Sequence, residues 1–114
     1  MEDCIFCKII KGELATELLY EDDQLVAFRD IDPQAPVHIL LVTKEHIPTI
    51  LDIEERKQGL IGHIYRVAAK LARENNIAET GYRLVSNCNK EGGQTVFHIH
   101  FHLLGGRRMQ WPPG

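Results

Sequence analysis

Three histidines at alternate positions, His98, His100 and His102, carry the strongest chemical signal in the sequence. Ile99, Phe101 and Leu103 stand between and after them. Strict polar–apolar alternation predicts a half-buried strand. Side chains two apart on a strand share a face, so the imidazoles line one side and the apolar residues enter the core. Two chemistries suit such a row. One is metal binding. At a rise of about 3.3 Å per residue, the Cα atoms of His98 and His102 are about 13 Å apart. Neighbours can share an ion, but all three can do so only with severe distortion, because Zn–N bonds are about 2.0–2.1 Å. The other is nucleophilic catalysis, in which His100 attacks while its neighbours orient groups or bind charge. Phosphorus centres suit this, since water readily cleaves a phosphorylated imidazole. A strand face that is merely rich in histidine is the bland alternative. Half of the six histidines in alternate positions argues against it.

Other residues form smaller constellations. Gly92-Gly93-Gln94-Thr95 precedes the row. Glycines let backbone N–H groups approach an anion, and Gln and Thr add neutral donors. The same residues also suit a plain hairpin turn, but their place beside three histidines favours a phosphate cradle. Cys4-x-x-Cys7 is half a zinc site at best, and Cys7 can equally pack beside Ile10. Asp30 precedes a Pro-containing loop, where Asp is ordinary turn chemistry, and Asn87 can simply start a loop. Trp111 lies in a tail stiffened by Pro112-Pro113. Cys88 reads as a loop or core residue, and His38 and His63 read as structural.

The elements that must position these groups are legible by pattern. Asp3 is placed to cap a short helix holding Ile5, Phe6, Ile9 and Ile10, with Gly12 ending it. On that helix Cys4 and Cys7 face the same way. Leu18 to Tyr20 is a short strand, and Leu25 to Phe28 begins a second that runs into Arg29-Asp30-Ile31. His38 to Val42 is nearly continuously apolar, as in a strand buried on both faces. Asp52 and Glu55 fit a capping box that opens one long helix. Its Leu60, Ile64, Val67 and Leu71 recur at helical spacing, and it ends near Asn75-Asn76. Tyr82 to Ser86 is a strand, Asn87 to Gly93 a loop, and Val96 to Leu104 the histidine strand. The pattern is α+β: a mostly antiparallel five-stranded sheet with one long and one short helix.

Composition sets bounds. The chain has 114 residues, 44% hydrophobic and 25% charged, with net charge −3. That predicts a single domain over residues 1–114, with an ordinary globular core. The only basic cluster is Arg107-Arg108, so no nucleic-acid surface is expected. No signal peptide or membrane span is apparent. Three cysteines without a secretion signal point to reduced thiols in the cytoplasm.

The row His-apolar-His-apolar-His-apolar-apolar resembles the histidine triad (HIT) motif. The stretch GGQTVFHIHFHLLGGRRMQWPPG, with IFCKII and EDDQLVAFRDIDPQAPVHILLVTKEHI upstream, resembles the nucleoside phosphoramidase branch of that family. The resemblance covers nearly the whole chain. It implies a HIT-like fold paired into a two-fold dimer, with the tail reaching the partner's site. It also implies hydrolysis of purine nucleoside phosphoramidates, adenosine 5′-phosphoramidate in type. His100 would form a nucleotidyl-histidine, His102 would bind the phosphoryl oxygen or polarise the leaving group, and His98 would orient the others. Phe6, Phe28 and Ile31 match purine-pocket walls, and Asp30 matches the residue that holds the ribose hydroxyls. Asn87, Gly93, Gln94, Thr95, Val96 and Trp111 match nucleotide contacts. Thr95 stands where the family usually has Ser, and Arg29 where some relatives have His. No cofactor is implied for catalysis, but His46 and His98 would complete a structural Cys₂His₂ zinc site with Cys4 and Cys7. Dinucleoside polyphosphate hydrolysis, done by other branches, is a second reading. Leu104-Gly105-Gly106 and the Trp-Pro-Pro tail favour the first. A nucleotide-binding regulatory or scaffold protein with incidental hydrolysis is a third.

Overall fold

In a computed structural model, which describes residues 3–114, a short helix α1 (Ile5–Ile10) opens the fold. Strands β1 (Tyr20–Glu21), β2 (Leu25–Arg29) and β3 (Val37–Thr43) follow, then helix α2 (Gln58–Glu74), β4 (Tyr82–Ser86) and β5 (His100–Gly105). The five strands form one antiparallel sheet in the order β1-β2-β3-β5-β4. The histidine strand therefore pairs on both sides, with Leu40 opposite His102 on β3 and Val85 opposite it on β4.

The alternation in β5 works as its pattern predicts. Ile99, Phe101 and Leu103 join Leu25, Ala27, Ile39 and Leu41 in a core covered by α2. Buried Leu60, Ile64, Val67 and Leu71 form the helix's inner stripe. Gly59 and Gly62 lower the intrinsic helicity of its first turns by about 1 kcal/mol each. Burial of each large aliphatic contributes about 1.5–3 kcal/mol, so packing decides that this segment is helical. The opposite sheet face carries a smaller cluster, in which Phe6 and Ile9 of α1 meet Val26, Phe28, Leu40 and Val42.

Several boundaries differ from the sequence expectation. The capping box lies at Thr49 and Asp52, not Asp52 and Glu55. The Thr49 hydroxyl accepts from the Leu51 N–H, and the Asp52 carboxylate accepts from the Thr49 N–H. It caps a 3-10 turn (Ile50–Asp52), a second turn follows (Glu55–Lys57), and only then does α2 begin. Asp3 does not cap α1; the Cys4 sulfur does, accepting from the Cys7 N–H at 3.4 Å. The first strand falls at Tyr20–Glu21, displaced from Leu18–Tyr20, because Asp22 closes the turn by accepting the Gln24 and Leu25 N–H groups. The histidine strand begins at His100, not Val96. Its partners run out there: Val42 pairs with His100 one residue before β3 ends, and Ser86, the end of β4, pairs with Phe101. Residues 96–98 bend away.

Candidate active site

That bend divides the three histidines. His100 and His102 stay side by side, with ring centroids 5.1 Å apart. His98, 0% exposed, turns toward the N-terminal helix and stacks edge-on to His46 at 4.9 Å. The row is thus two imidazoles facing a site and one facing a cysteine pair.

Backbone partners fix which nitrogen of each ring carries hydrogen. His98 Nε2 lies 2.6 Å from the Thr43 carbonyl, which can only accept, so Nδ1 keeps its lone pair. His100 Nδ1 lies 2.8 Å from the His98 carbonyl, so its Nε2 is the bare, nucleophilic nitrogen. A fourth imidazole completes the chain. The Gln34 N–H donates to His38 Nδ1 at 3.0 Å, which places the His38 proton on Nε2. That nitrogen lies 2.9 Å from His102 Nδ1 and donates to it. His102 therefore carries its hydrogen on Nε2. The site presents one bare nitrogen next to one N–H donor.

Electrostatics keep these rings neutral. Burial pushes His38, His98 and His100 below the usual histidine range. Burial, then the neighbouring His100 and His38, pushes His102 down to about 4. A neutral His100 is what nucleophilic attack requires. The Asp30 carboxylate opposes the trend at His38, from 3.4 Å.

His38 was read from sequence as structural, yet it is buried and positions His102. The available signal was a lone polar residue in an otherwise apolar run. It shares a sheet face with Leu40, which pairs with His102, so it sits diagonally across from that ring.

The cysteine pair meets its expected partners. Cys4 Sγ and Cys7 Sγ lie 3.3 and 3.6 Å from His98 Nδ1, and Cys7 Sγ lies 3.3 Å from His46 Nδ1. The four ligand atoms all lie within 4.8 Å of one another. A tetrahedral zinc with Zn–S near 2.3 Å and Zn–N near 2.0–2.1 Å separates its ligands by about 3.5 Å. Two sulfurs converge on one nitrogen lone pair, which a single S–H hydrogen bond does not require. The Thr43 carbonyl on the far side of His98 is the outer partner that zinc-binding imidazoles commonly have. The residues fit the ion.

The expected nucleotide contacts are brought together unevenly. Phe6 packs edge-on to Phe28 at 5.9 Å and to His100 at 4.9 Å, so the Phe6 ring backs His100. Asp30 stands beside His38 and accepts the Asp32 N–H, so its turn role and its place near the site coexist. Ile31 is 100% exposed and Trp111 83% exposed. Asn87 is half-buried at the start of the loop that leads back to the histidines. The Gly-Gln cradle differs from expectation. Gly93 N–H and Gln94 N–H donate to the Lys90 and Asn89 carbonyls within the loop. The Gln94 side chain, 6% exposed, points inward. Its amide donates to the Pro48 and Val96 carbonyls and accepts the Asn89 N–H. Gln94 is therefore a brace, with no side-chain donor left for a phosphate. A Cβ on Gly92 would lie 2.4 Å from the Cys88 carbonyl oxygen, so the loop itself demands that glycine. Thr95 is exposed and Val96 half-buried.

An α+β fold in which a bare imidazole nitrogen stands beside an imidazole N–H donor on one strand is the pattern of a histidine-triad protein. The HIT domain family matches residues 11–109, and the chain belongs to it. It is 51% identical over 108 residues to the purine nucleoside phosphoramidase of Escherichia coli K12, covering 95% of this chain and 91% of that protein. It is 49% identical over 113 residues to a HIT-like protein of Synechococcus elongatus, covering 99% and 98%. Among solved structures it is similar to a HIT family hydrolase from Legionella pneumophila, with TM-score 0.95 and 52% identity, covering 98% of this chain and all of that one. It also resembles the histidine triad nucleotide-binding protein of Candida albicans, with TM-score 0.82 and 33% identity, covering 96% and 83%.

Proposed function

We propose that the protein hydrolyses purine nucleoside 5′-phosphoramidates, adenosine 5′-phosphoramidate in type, releasing the nucleoside monophosphate and an amine. The observation that carries this is the pair of fixed tautomers: a bare His100 Nε2 beside a His102 Nε2–H. His100 Nε2 attacks phosphorus, the P–N bond to the amine breaks, and a nucleotidyl-histidine forms. The His98 carbonyl stabilises the positive charge that develops on the ring through its bond to Nδ1–H. His102 Nε2–H meets a phosphoryl oxygen. A bound anion beside His102 raises its proton affinity, so the ring takes up a solvent proton as substrate binds and then gives its Nε2 proton to the departing amine, returning to neutrality. Water then attacks phosphorus, the bond from phosphorus to His100 Nε2 breaks and the surplus water proton passes to solvent, releasing the monophosphate and restoring neutral His100.

The purine is assigned to exposed Ile31 together with Phe6 and Phe28, the ribose to Asp30, and the phosphate to Asn87, Thr95 and Val96 in addition to His102. The Gly93 N–H and the Gln94 side-chain amide, which the sequence offers as phosphate donors, are engaged within the protein. Relatedness to a named phosphoramidase favours this chemistry over dinucleoside polyphosphate hydrolysis. The four-residue Cys/His cluster is assigned to a closed structural zinc, which supplies cross-linking and no chemistry. Among the described residues strand β4 pairs only with β5 and so leaves an edge open; with exposed Tyr65 on α2, it suits two-fold pairing that would bring Trp111 to a partner's site. No helix among the described residues is long and apolar enough to cross a membrane. The three cysteines are unpaired, which suits the cytoplasm, and the proposed unit is one domain over residues 1–114.

The test is His100→Ala. Turnover of adenosine 5′-phosphoramidate should vanish while AMP binding persists, and intact mass of the unaltered protein quenched in turnover should show a nucleotidyl adduct on His100. Undiminished turnover by the variant would reject the assignment. Faster hydrolysis of a diadenosine polyphosphate than of the phosphoramidate would favour the second reading.

A further inference from the structure

The cysteine cluster and the nucleophile share one residue. His98 offers its ring to Cys4, Cys7 and, across the cluster, His46, while its own carbonyl holds His100 Nδ1–H at 2.8 Å. A displaced His98 ring would carry that carbonyl with it. The neighbouring main chain is tied to the same segment. The Ile99 N–H donates to the Ile47 carbonyl, and the Thr43 N–H donates to the Ile99 carbonyl. Gln94 reaches the Pro48 carbonyl, two residues beyond His46. Helix α1 carries Phe6 between the two cysteines, and that ring lies edge-on to both His98 and His100, at 5.8 and 4.9 Å. Six residues are too few for a helix to persist unaided in water. What seats α1 behind His100 is therefore this cluster and a few apolar contacts.

We infer that a zinc-class divalent cation held by Cys4, Cys7, His46 and His98 positions the nucleophile, so that metal occupancy sets the catalytic competence of His100 and not merely the stability of the fold. The inference rests on the metal reading above. Cys4, Cys7 and His46 are positioning residues in this scheme, acting through His98. The cation locks the His98 ring against the Thr43 carbonyl, the locked ring fixes the His98 carbonyl, and that carbonyl holds His100 with Nε2 facing substrate. Without the cation, thiol–imidazole hydrogen bonds replace four metal bonds, and His100 samples the other tautomer and other ring orientations.

The experiment uses the full chain, purified with its metal measured by elemental analysis, then stripped with a chelator and reloaded with zinc alone. Four quantities are compared: kcat and KM on adenosine 5′-phosphoramidate, the Kd of AMP, and the ring-nitrogen tautomer of His100 by long-range ¹H–¹⁵N NMR. Stripping should leave far-UV circular dichroism unchanged and the AMP Kd within about twofold. It should lower kcat by about 10–100-fold, the usual effect of losing an outer partner. The His100 ring signals should change from one tautomer to a mixture, and zinc should restore both. A Cys4→Val/Cys7→Val double variant, apolar in both positions, should reproduce the stripped state. A chain that binds one zinc, yet keeps its kcat and its His100 tautomer when stripped or in the double variant, would overturn the coupling and leave the metal site standing. A chain that takes up no zinc would overturn both. Stripping that unfolds the chain, together with a folded double variant of undiminished kcat, would reduce the metal to a structural staple and overturn the inference.

Discussion

Replacing His38 with leucine isolates the donor chain behind His102. The substitution keeps bulk and removes two functions: the acceptor for the Gln34 N–H and the donor to His102 Nδ1. Gln34 is exposed, so water replaces the first at little cost. His102 Nδ1 is partly buried, and leaving it unpaired costs about 1–3 kcal/mol. The ring then has less reason to keep its hydrogen on Nε2. Full removal of one preorganised donor to a developing oxyanion costs about 10²–10³ in kcat. Here the donor is misassigned part of the time and not deleted, so a loss of about tenfold to a hundredfold is expected, short of that limit. His38→Gln, which can still donate, should recover most of it. Steady-state kinetics on adenosine 5′-phosphoramidate measures the loss, and ¹⁵N chemical shifts of His102 report the tautomer. A His38→Leu protein with undiminished kcat would refute the donor chain. So would an unaltered protein in which His102 carries its proton on Nδ1.

Gln94→Ala removes three buried hydrogen bonds that brace the loop, and should lower the unfolding free energy by about 2–5 kcal/mol in urea titrations while raising KM. Gly105→Ala places a Cβ 2.5 Å from Ile77 Cδ1, and should cost about 1–3 kcal/mol by overpacking, seen as a lower urea midpoint. The folded chain holds His102 neutral down to about pH 4, and burial lowers His38 as well, while the unfolded chain protonates both near pH 6.5. The unfolded state therefore binds more protons across that window, and stability falls as pH falls through it. The slope is up to about 1.4 kcal/mol per pH unit for each such ring. Asp22, whose carboxyl is lowered by Tyr20, Gln24, His63 and Leu25 against the opposing effect of burial, adds a further loss only at more acidic pH. Urea midpoints that stay flat between pH about 4 and about 6.5 would contradict the neutral-imidazole account.

Much of the site was legible because period-2 alternation is a local signal. Ile99, Phe101 and Leu103 could be sent to the core without knowing what they would meet, and a strand over His38–Val42 could be placed from its apolar run, one residue short at each end. The placement of Cys4 and Cys7 on one side of a short helix followed from helical spacing. What escaped depended on contacts distant in sequence. His38 and His102 are 64 residues apart, and nothing near either one announces the other. The end of β5 at His100 depended on where β3 and β4 stop. Gln94 looked like a ligand donor because its amide is chemically suited to be one. Only its neighbours Pro48 and Asn89 reveal that its capacity is already used. The start of α2 failed for a different reason, since Asp52 fits a cap at either of two registers and the 3-10 turns occupy the gap.

The carbonyls of Thr43 and His98 decide which nitrogens of His98 and His100 remain free. A carbonyl cannot be replaced by exchanging one amino acid for another. The choice of nitrogen is therefore insulated from exchange of the solvent-facing side chains around the cleft, though not from loss of the Cys4, Cys7, His46 and His98 cluster or of His38. On the proposed mechanism, changes at solvent-facing Ile31 and Trp111 would admit other bases or other amines while the same imidazole edge meets phosphorus.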